Sequence, residues 1–110
     1  MRNRKTAWIL AVGLGMTAFA GCGSEEMKNY EQAAQDLENG NYEVALEEYE
    51  AAISAGVKPA QSYRGAGVAQ LKLGNYDEAV TYFSNALDCD KVGKALKKDI
   101  LSYRAAAYLK

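Results

Sequence analysis

The sequence predicts an all-α fold in which antiparallel helix-turn-helix repeats stack into an α-solenoid of about two and a half units. Residues Gly40–Ile53 read GNYEVALEEYEAAI, and Gly74–Leu87 read GNYDEAVTYFSNAL, so every matching pair is separated by the same offset. The apolar residues of each stretch fall at helical spacing, and each stretch opens on a Gly-Asn turn signal. A constant period of about 34 residues with these features is typical of a repeat made of two helices.

Residues 1–21 are predicted to be a signal peptide. Arg2, Arg4 and Lys5 form a basic start, and residues 6–20 are a mostly apolar run without a charge. A helix of that length covers only about 22 Å, short of the ~30 Å hydrocarbon core of a bilayer. The length therefore favours a secretory signal over a permanent membrane span.

The apolar run ends in Phe19-Ala20-Gly21-Cys22, which resembles the bacterial lipobox, although Phe19 stands where leucine is typical. The resemblance implies a lipid on Cys22 and a short tether over residues 22–26. It also implies export to the outer face of the bacterial cell membrane, or to the periplasmic face of an envelope membrane. Two alternatives remain open. Cleavage after Ala20 at an A-x-A site gives a soluble secreted protein, and retention of the run gives an N-terminal anchor helix.

Composition limits residues 22–110 to one small domain with a thin core. This part of the chain carries all 14 acidic residues and ten basic residues, a net charge of −4. Residues 22–57 have a balance of −8, and residues 58–110 have a balance of +4. Solvated helix faces explain this division, and head-to-tail self-association or a polarised partner are the alternatives.

A basic run in the second half is formed by Lys91, Lys94, Lys97 and Lys98. Export and the lack of interleaved aromatic residues argue against nucleic acid as a partner. Attraction of these lysines to an anionic membrane surface is left open by the sequence.

The first repeat is predicted to span residues 27–57. Its first helix is degenerate and carries an apolar stripe at Tyr30, Ala33, Ala34 and Leu37. Its second helix follows the turn at Gly40, with a stripe formed by Tyr42, Ala45, Leu46, Tyr49, Ala52 and Ile53. Each stripe predicts a helix that buries one face against its neighbours.

The second repeat is predicted to span residues 58–90 and to keep the same plan. Its first helix has Tyr63, Gly67 and Leu71 on one stripe. After the turn at Gly74, the second helix carries a stripe formed by Tyr76, Ala79, Val80, Phe83, Ala86 and Leu87. The small residues of both units are expected to let helices approach closely, while Tyr49 and Phe83 fill the gap beyond them.

Residues 91–110 are predicted to be the first helix of a third unit or a closing helix. Residues 105–110 match residues 67–72 at an offset of 38, so the preceding link is longer than in the earlier units. Repeat arrays usually end in a polar cap, and a last turn of Ala-Ala-Ala-Tyr-Leu is not polar. This favours a chain that is truncated within a longer array.

The order of aromatic, small residue, Gly-Asn-Tyr, alanine, aromatic and alanine resembles the tetratricopeptide repeat family, most strongly in the second unit. The resemblance implies that the first helices line a concave groove that holds peptides or helices of partner proteins. It places seven residues in that groove: Tyr30, Ala34, Leu37, Arg64, Val68, Leu71 and Lys72. Ala34 and Val68 stand where some members have asparagine, so a carboxylate clamp is not expected. An alternative is that Leu37 and Leu71 belong to the core.

The sequence offers no constellation for catalysis. It has no histidine and no CxxC pair, and Cys89 falls on an apolar stripe as a small hydrophobic residue would. Gly65-Ala66-Gly67 lies inside a helical pattern without a preceding strand, which indicates packing and not a phosphate loop. Glu47 and Glu48 are adjacent and point in different directions. We therefore predict no enzyme, no metal site and no cofactor.

The sequence thus predicts a membrane-anchored, extracytoplasmic interaction module that binds a peptide or helix of an envelope or secreted protein. Its protein partner is not identified by the sequence. Two other functions remain open: a self-associating structural lipoprotein, and a substrate-recruiting subunit of an envelope enzyme complex.

Overall fold

A computed structural model describes residues 19–110, with side chains from Glu25 onward. These residues form five helices and no strand: α1 (Phe19–Glu38), α2 (Tyr42–Ala55), α3 (Pro59–Leu73), α4 (Tyr76–Leu87) and α5 (Lys94–Tyr108). The predicted all-α class of helical repeats is therefore confirmed.

Consecutive helices are antiparallel and pack in chain order. Links of two or three residues join α1 through α4, and such links are too short to carry the chain back along a helix. As a result α1, α3 and α5 all point the same way. Helix α3 approaches both α1 and α5 closely, whereas α2 and α4 meet only through side chains, as in the hydrogen bond from Tyr82 to Glu50. The stack therefore bends toward the layer of α1, α3 and α5, whose shared outer surface we call the concave face.

The two repeat turns are closed by the same set of hydrogen bonds. Gly40 and Gly74 have φ of 85° and 86°, the left-handed conformation that glycine adopts without strain. The amide of Asn41 donates to the Asp36 carbonyl at 2.8 Å, and that of Asn75 donates to the Gln70 carbonyl at 2.9 Å. The side-chain amides of these asparagines donate to the side chains of the same two residues, at 3.2 and 2.7 Å.

Helix α3 is the centre of the stack because its glycines admit aromatic rings from both neighbours. A Cβ at Gly65 would overlap the ring of Tyr49 on α2, and a Cβ at Gly67 would overlap the ring of Phe83 on α4. The Gly65-Ala66-Gly67 segment is thus a packing element.

The core consists of two clusters, one on each side of α3. The first contains Ala33, Ala45, Tyr49 and Ala66, and the Tyr49 ring meets Tyr30 edge-on with centroids 6.0 Å apart. The second contains Val68, Ala79, Phe83, Ala86, Ile100 and Ala107. In that cluster Phe83 stacks on Tyr103 of α5 at 5.8 Å. Both clusters are rich in alanine, so little side-chain volume separates the helices.

The structure buries most of the repeated apolar residues, namely Ala45, Tyr49, Ala52, Gly67, Ala79, Phe83 and Ala86. Tyr42 and Tyr63 are half-buried. Tyr76 opens the second stripe but is 37% exposed, because it lies in the first turn of α4 at the rim of the stack.

The N-terminal predictions fall mostly beyond the described part of the chain. The predicted signal peptide lies outside it except for residues 19–21, and the side chain of Cys22 is likewise outside it. The backbone of residues 22–26, predicted as a tether, belongs to α1. Across residues 19–110, no helix combines the length and apolarity that a bilayer crossing requires.

Replacing Gly67 with alanine should reverse the usual effect of this change in a helix. At an open helical site alanine stabilises by roughly 0.5–1 kcal/mol relative to glycine. At Gly67 the added methyl meets the Phe83 ring, so we expect a loss of roughly 1–3 kcal/mol in the free energy of unfolding. Urea unfolding followed by circular dichroism measures it.

The matched control repeats Gly67→Ala in a Phe83→Leu background, where the ring is absent. The loss caused by the glycine change should then shrink by at least about half, since the two side chains share one contact. If Gly67→Ala stabilised the wild-type chain, the Phe83 ring of α4 would not be packed against Gly67 of α3.

Candidate functional site

The concave face brings together most of the residues predicted for the groove. Tyr30, Ala34 and Leu37 lie along α1, and Leu71 lies near the end of α3; all four are half-buried. Lys72, the next residue on α3, is exposed. The face therefore has an apolar floor with a cation at the end where α3 stops.

The prediction for Val68 needs correction. Only 5% of this residue is exposed, and it belongs to the core cluster that contains Phe83 and Ile100. The reason is that α5 packs on the side of α3 that the repeat pattern leaves open. Val68 is therefore a packing residue that a partner cannot reach.

Arg64 is placed on the concave face, but it already has partners on α5. Its Nε donates to Oδ2 of Asp99 at 2.5 Å, and its guanidinium carbon lies 5.2 Å from the centroid of the Tyr103 ring. The two charged side chains are 29% and 42% exposed. Arg64 thus bridges α3 and α5, and its charge is largely neutralised before any partner arrives.

Asp99 and Tyr103 are site residues that the sequence pattern did not predict. The 38-residue offset of the third unit aligns Asp99 with Gln61, one turn before Arg64 on α3. Neighbouring first helices are parallel, so this alignment could have placed an acid beside the arginine. The 38-residue offset is visible only in residues 105–110, so the sequence pattern does not readily show that Asp99 lies near Arg64.

Leu37 and Leu71 serve the core as well as the surface. Both pack against the second core cluster, in agreement with the alternative interpretation of these two residues. Their partial exposure leaves an edge of each on the concave face. Tyr30 likewise serves both the core and the surface. Its ring packs on Tyr49, and the ammonium of Lys58 lies 5.8 Å from the ring centroid.

A second, polar cleft of about 450 Å³ opens between α1 and α2. Glu25, Gln32 and Glu48 are among its lining residues. Oε1 of Glu48 is buried and makes no hydrogen bond within the described part of the chain. Burial and then a hydrogen bond with Asp36 raise the pKa of Glu48 to about 7. The same hydrogen bond, followed by one from Asn41, lowers the pKa of Asp36.

Over residues 25–110 no cluster of three or more acidic, cysteine or histidine side chains has the arrangement that a metal ion requires. The raised pKa of Glu48 and the lowered pKa of Asp36 indicate that the two carboxyls hold one proton between them. Burial raises the pKa of the Cys89 thiol, which makes that thiol less reactive at neutral pH.

Comparison with known proteins identifies one family. The family model described as tetratricopeptide repeat matches residues 30–94, more than half of the chain. The matched range begins at Tyr30 on α1 and ends at the first residue of α5. Searches of curated proteins and of solved structures gave no match.

The Asp36–Glu48 pair predicts that stability falls as pH rises. The folded state raises the pKa of Glu48 from 4.5 to about 7, so its proton stabilises the fold fully below pH 4.5 and is lost as pH rises through about 7. Asp36 titrates below this window because its pKa is lowered. We expect the Tm to drop by a few degrees between about pH 5 and pH 8.

Glu48→Gln should remove most of this drop, because the neutral amide keeps the size of the side chain and cannot ionise. Glu38→Gln removes the same charge from an exposed position on α1 and serves as the control. Thermal unfolding at several pH values measures both. An unchanged pH profile in Glu48→Gln would mean that this carboxyl does not titrate in the window.

Proposed function

The chain belongs to the tetratricopeptide repeat family, whose domains generally bind protein partners, and we propose that it is a membrane-anchored, extracytoplasmic adaptor. In this proposal the concave face of α1, α3 and α5 holds a peptide or helix of an envelope or secreted protein. The family is typically a non-catalytic interaction module, which fits an adaptor.

The observation that carries the proposal is the half-exposed apolar floor of the concave face. Tyr30, Ala34, Leu37 and Leu71 each keep part of their surface open, and no described helix covers them. Binding a partner there removes this apolar surface from water, which is the main favourable term in association.

The charges on this face favour a particular kind of partner segment. Arg64 is bridged to Asp99, so it offers little net attraction to an acidic ligand. Lys72 is exposed at the edge of the apolar floor. We therefore expect a segment with apolar anchors on the floor and an acidic residue near the end of α3.

Anchoring rests on the sequence at the N-terminus. Gly21-Cys22 follows an apolar run with a basic start, and Gly-Ser-Glu-Glu follows the cysteine. A lipidated Cys22 would place the domain against the membrane, outside the cytoplasm. This location leaves the concave face available to envelope or secreted proteins.

Filling the apolar floor should displace the partner. Ala34→Arg places a long cation at the middle of the α1 part of the floor. In producing cells, crosslinking followed by purification of the full-length chain should recover about fivefold less of the partner that accompanies wild type. This corresponds to roughly 1 kcal/mol of lost binding. Quantitative mass spectrometry of the co-purified proteins gives the ratio.

Ala105→Arg is the matched control, since it makes the same substitution at an exposed alanine of α5. Circular dichroism first establishes that both variants are folded. Equal recovery of the partner by wild type, Ala34→Arg and Ala105→Arg would place the binding surface elsewhere. Equal losses in both variants would point to a general effect of added charge.

Cys22→Ala tests the anchor. The wild-type chain should enter the detergent phase on phase separation, whereas the variant should move to the aqueous phase or accumulate as unprocessed precursor. Cys89→Ala, which removes the other cysteine, should partition like wild type. Detergent-phase partitioning by a processed Cys22→Ala chain would contradict lipidation at this residue and favour an anchor helix.

A further inference from the structure

The parallel helices give the domain two unlike edges. Since α1, α3 and α5 point the same way, their starts lie at one edge of the stack, which we call the amino edge. The repeat turns at Gly40 and Gly74 lie at the opposite edge, which we call the turn edge. Residue 22, close to the start of α1, therefore belongs to the amino edge.

Two contacts fix the relative heights of the helices. Lys58, just before α3, places its ammonium on the ring of Tyr30, which sets the start of α3 beside that residue of α1. Arg64 and Asp99 form an ion pair, and each lies five residues after the first residue of its helix. Helices α3 and α5 therefore begin at about the same level.

The amino edge is basic where α5 begins. All four lysines of the basic run, Lys91, Lys94, Lys97 and Lys98, are exposed there, and we call them the basic corner. No ion pair joins them to another described residue. Two exposed acids precede them, Asp88 and Asp90, so the corner keeps an excess of two positive charges. At the turn edge the exposed acids outnumber the exposed Lys72 and Lys110; these acids are Glu38, Glu43, Asp77 and Glu78.

The height of the corner suits contact with a lipid surface at Cys22. Residue 22 precedes Tyr30 by eight residues, about 12 Å of helix at 1.5 Å per residue. The charge of an anionic leaflet acts within a Debye length of about 8 Å at physiological salt. The height of the corner above residue 22 exceeds the Debye length by a few ångströms. Long lysine side chains that extend from the corner toward the lipid cover most of that gap.

We propose that the basic corner rests on anionic lipid headgroups and so holds the anchored domain upright, with α1, α3 and α5 roughly along the membrane normal. This inference rests on the proposed anchor at Cys22. An excess of two charges is too small to bind a membrane alone. Once the anchor fixes the domain near the surface, the second contact is intramolecular and needs little affinity of its own.

The test measures lysine accessibility on the reconstituted protein. Full-length chain purified from producing cells is placed in vesicles of phosphatidylcholine alone, or of phosphatidylcholine mixed with phosphatidylglycerol. A water-soluble amine reagent then labels the lysines, and mass spectrometry gives the rate at each position. We expect Lys91 and Lys94 to react about threefold more slowly on the anionic vesicles, with added salt restoring the rate. Lys110 should react equally on both.

Two variants of equal charge sharpen the result. Lys97→Gln/Lys98→Gln and Lys110→Glu each lower the net charge by two. Only the first should lose the protection of Lys94. Provided that the chain stays with the vesicles, either of two results would overturn the inference. One is equal labelling of Lys94 on both kinds of vesicle, and the other is protection of wild-type Lys110 as strong as that of Lys94.

Two further outcomes distinguish a lipid contact from a protein contact and from a missing anchor. Protection of Lys94 in intact cells but on neither kind of vesicle would overturn the lipid contact and indicate an acidic protein. Failure of the wild-type chain to float with vesicles would overturn the anchor, and the inference with it.

Discussion

The fit of two aromatic rings onto two glycines of α3 determines where the other helices can lie. Tyr49 occupies the space over Gly65, and Phe83 occupies the space over Gly67, so α2 and α4 approach the α3 backbone from two sides. Helix α5 covers a third side, where Asp99 pairs with Arg64 and Ile100 joins the core cluster of Val68. A helix packed on three sides cannot present a broad surface. The open part of the concave face therefore lies on α1 and at the end of α3.

The sequence predicts the helices and their pairing because both follow from one period and one stripe per helix. It cannot predict which stripe positions of α3 remain exposed, because that depends on where α5 settles. Val68 illustrates the limit: its repeat position suggests the groove, yet α5 turns it into core. Arg64 illustrates the same limit for charge, because its partner Asp99 belongs to a helix that begins only at Lys94.

The two units also differ at positions outside the repeated signature, where their residues do not match. Asp36 and Gln70 hold equivalent places in the two repeats, and each accepts a hydrogen bond from the asparagine of its turn. At the place of Glu48 in the first unit, the second has Tyr82, which donates to Glu50 at 2.6 Å. In the second unit, neither the Gln70 amide nor the Tyr82 phenol ionises near neutral pH, so they do not share a proton as two carboxyls can. We therefore expect the sensitivity of stability to pH in this range to come from the first unit, the unit nearer Cys22.

The upright arrangement proposed for the domain constrains the partner. A segment that crosses α1, α3 and α5 runs parallel to the membrane when these helices stand along its normal. In that arrangement Lys72, near the end of α3, would lie about 20 Å further from the lipid than Pro59 at its start. A partner that places an acidic residue there must extend at least that far from the surface. This requirement favours a protein with a folded or extended region outside the membrane over a peptide embedded in the headgroups.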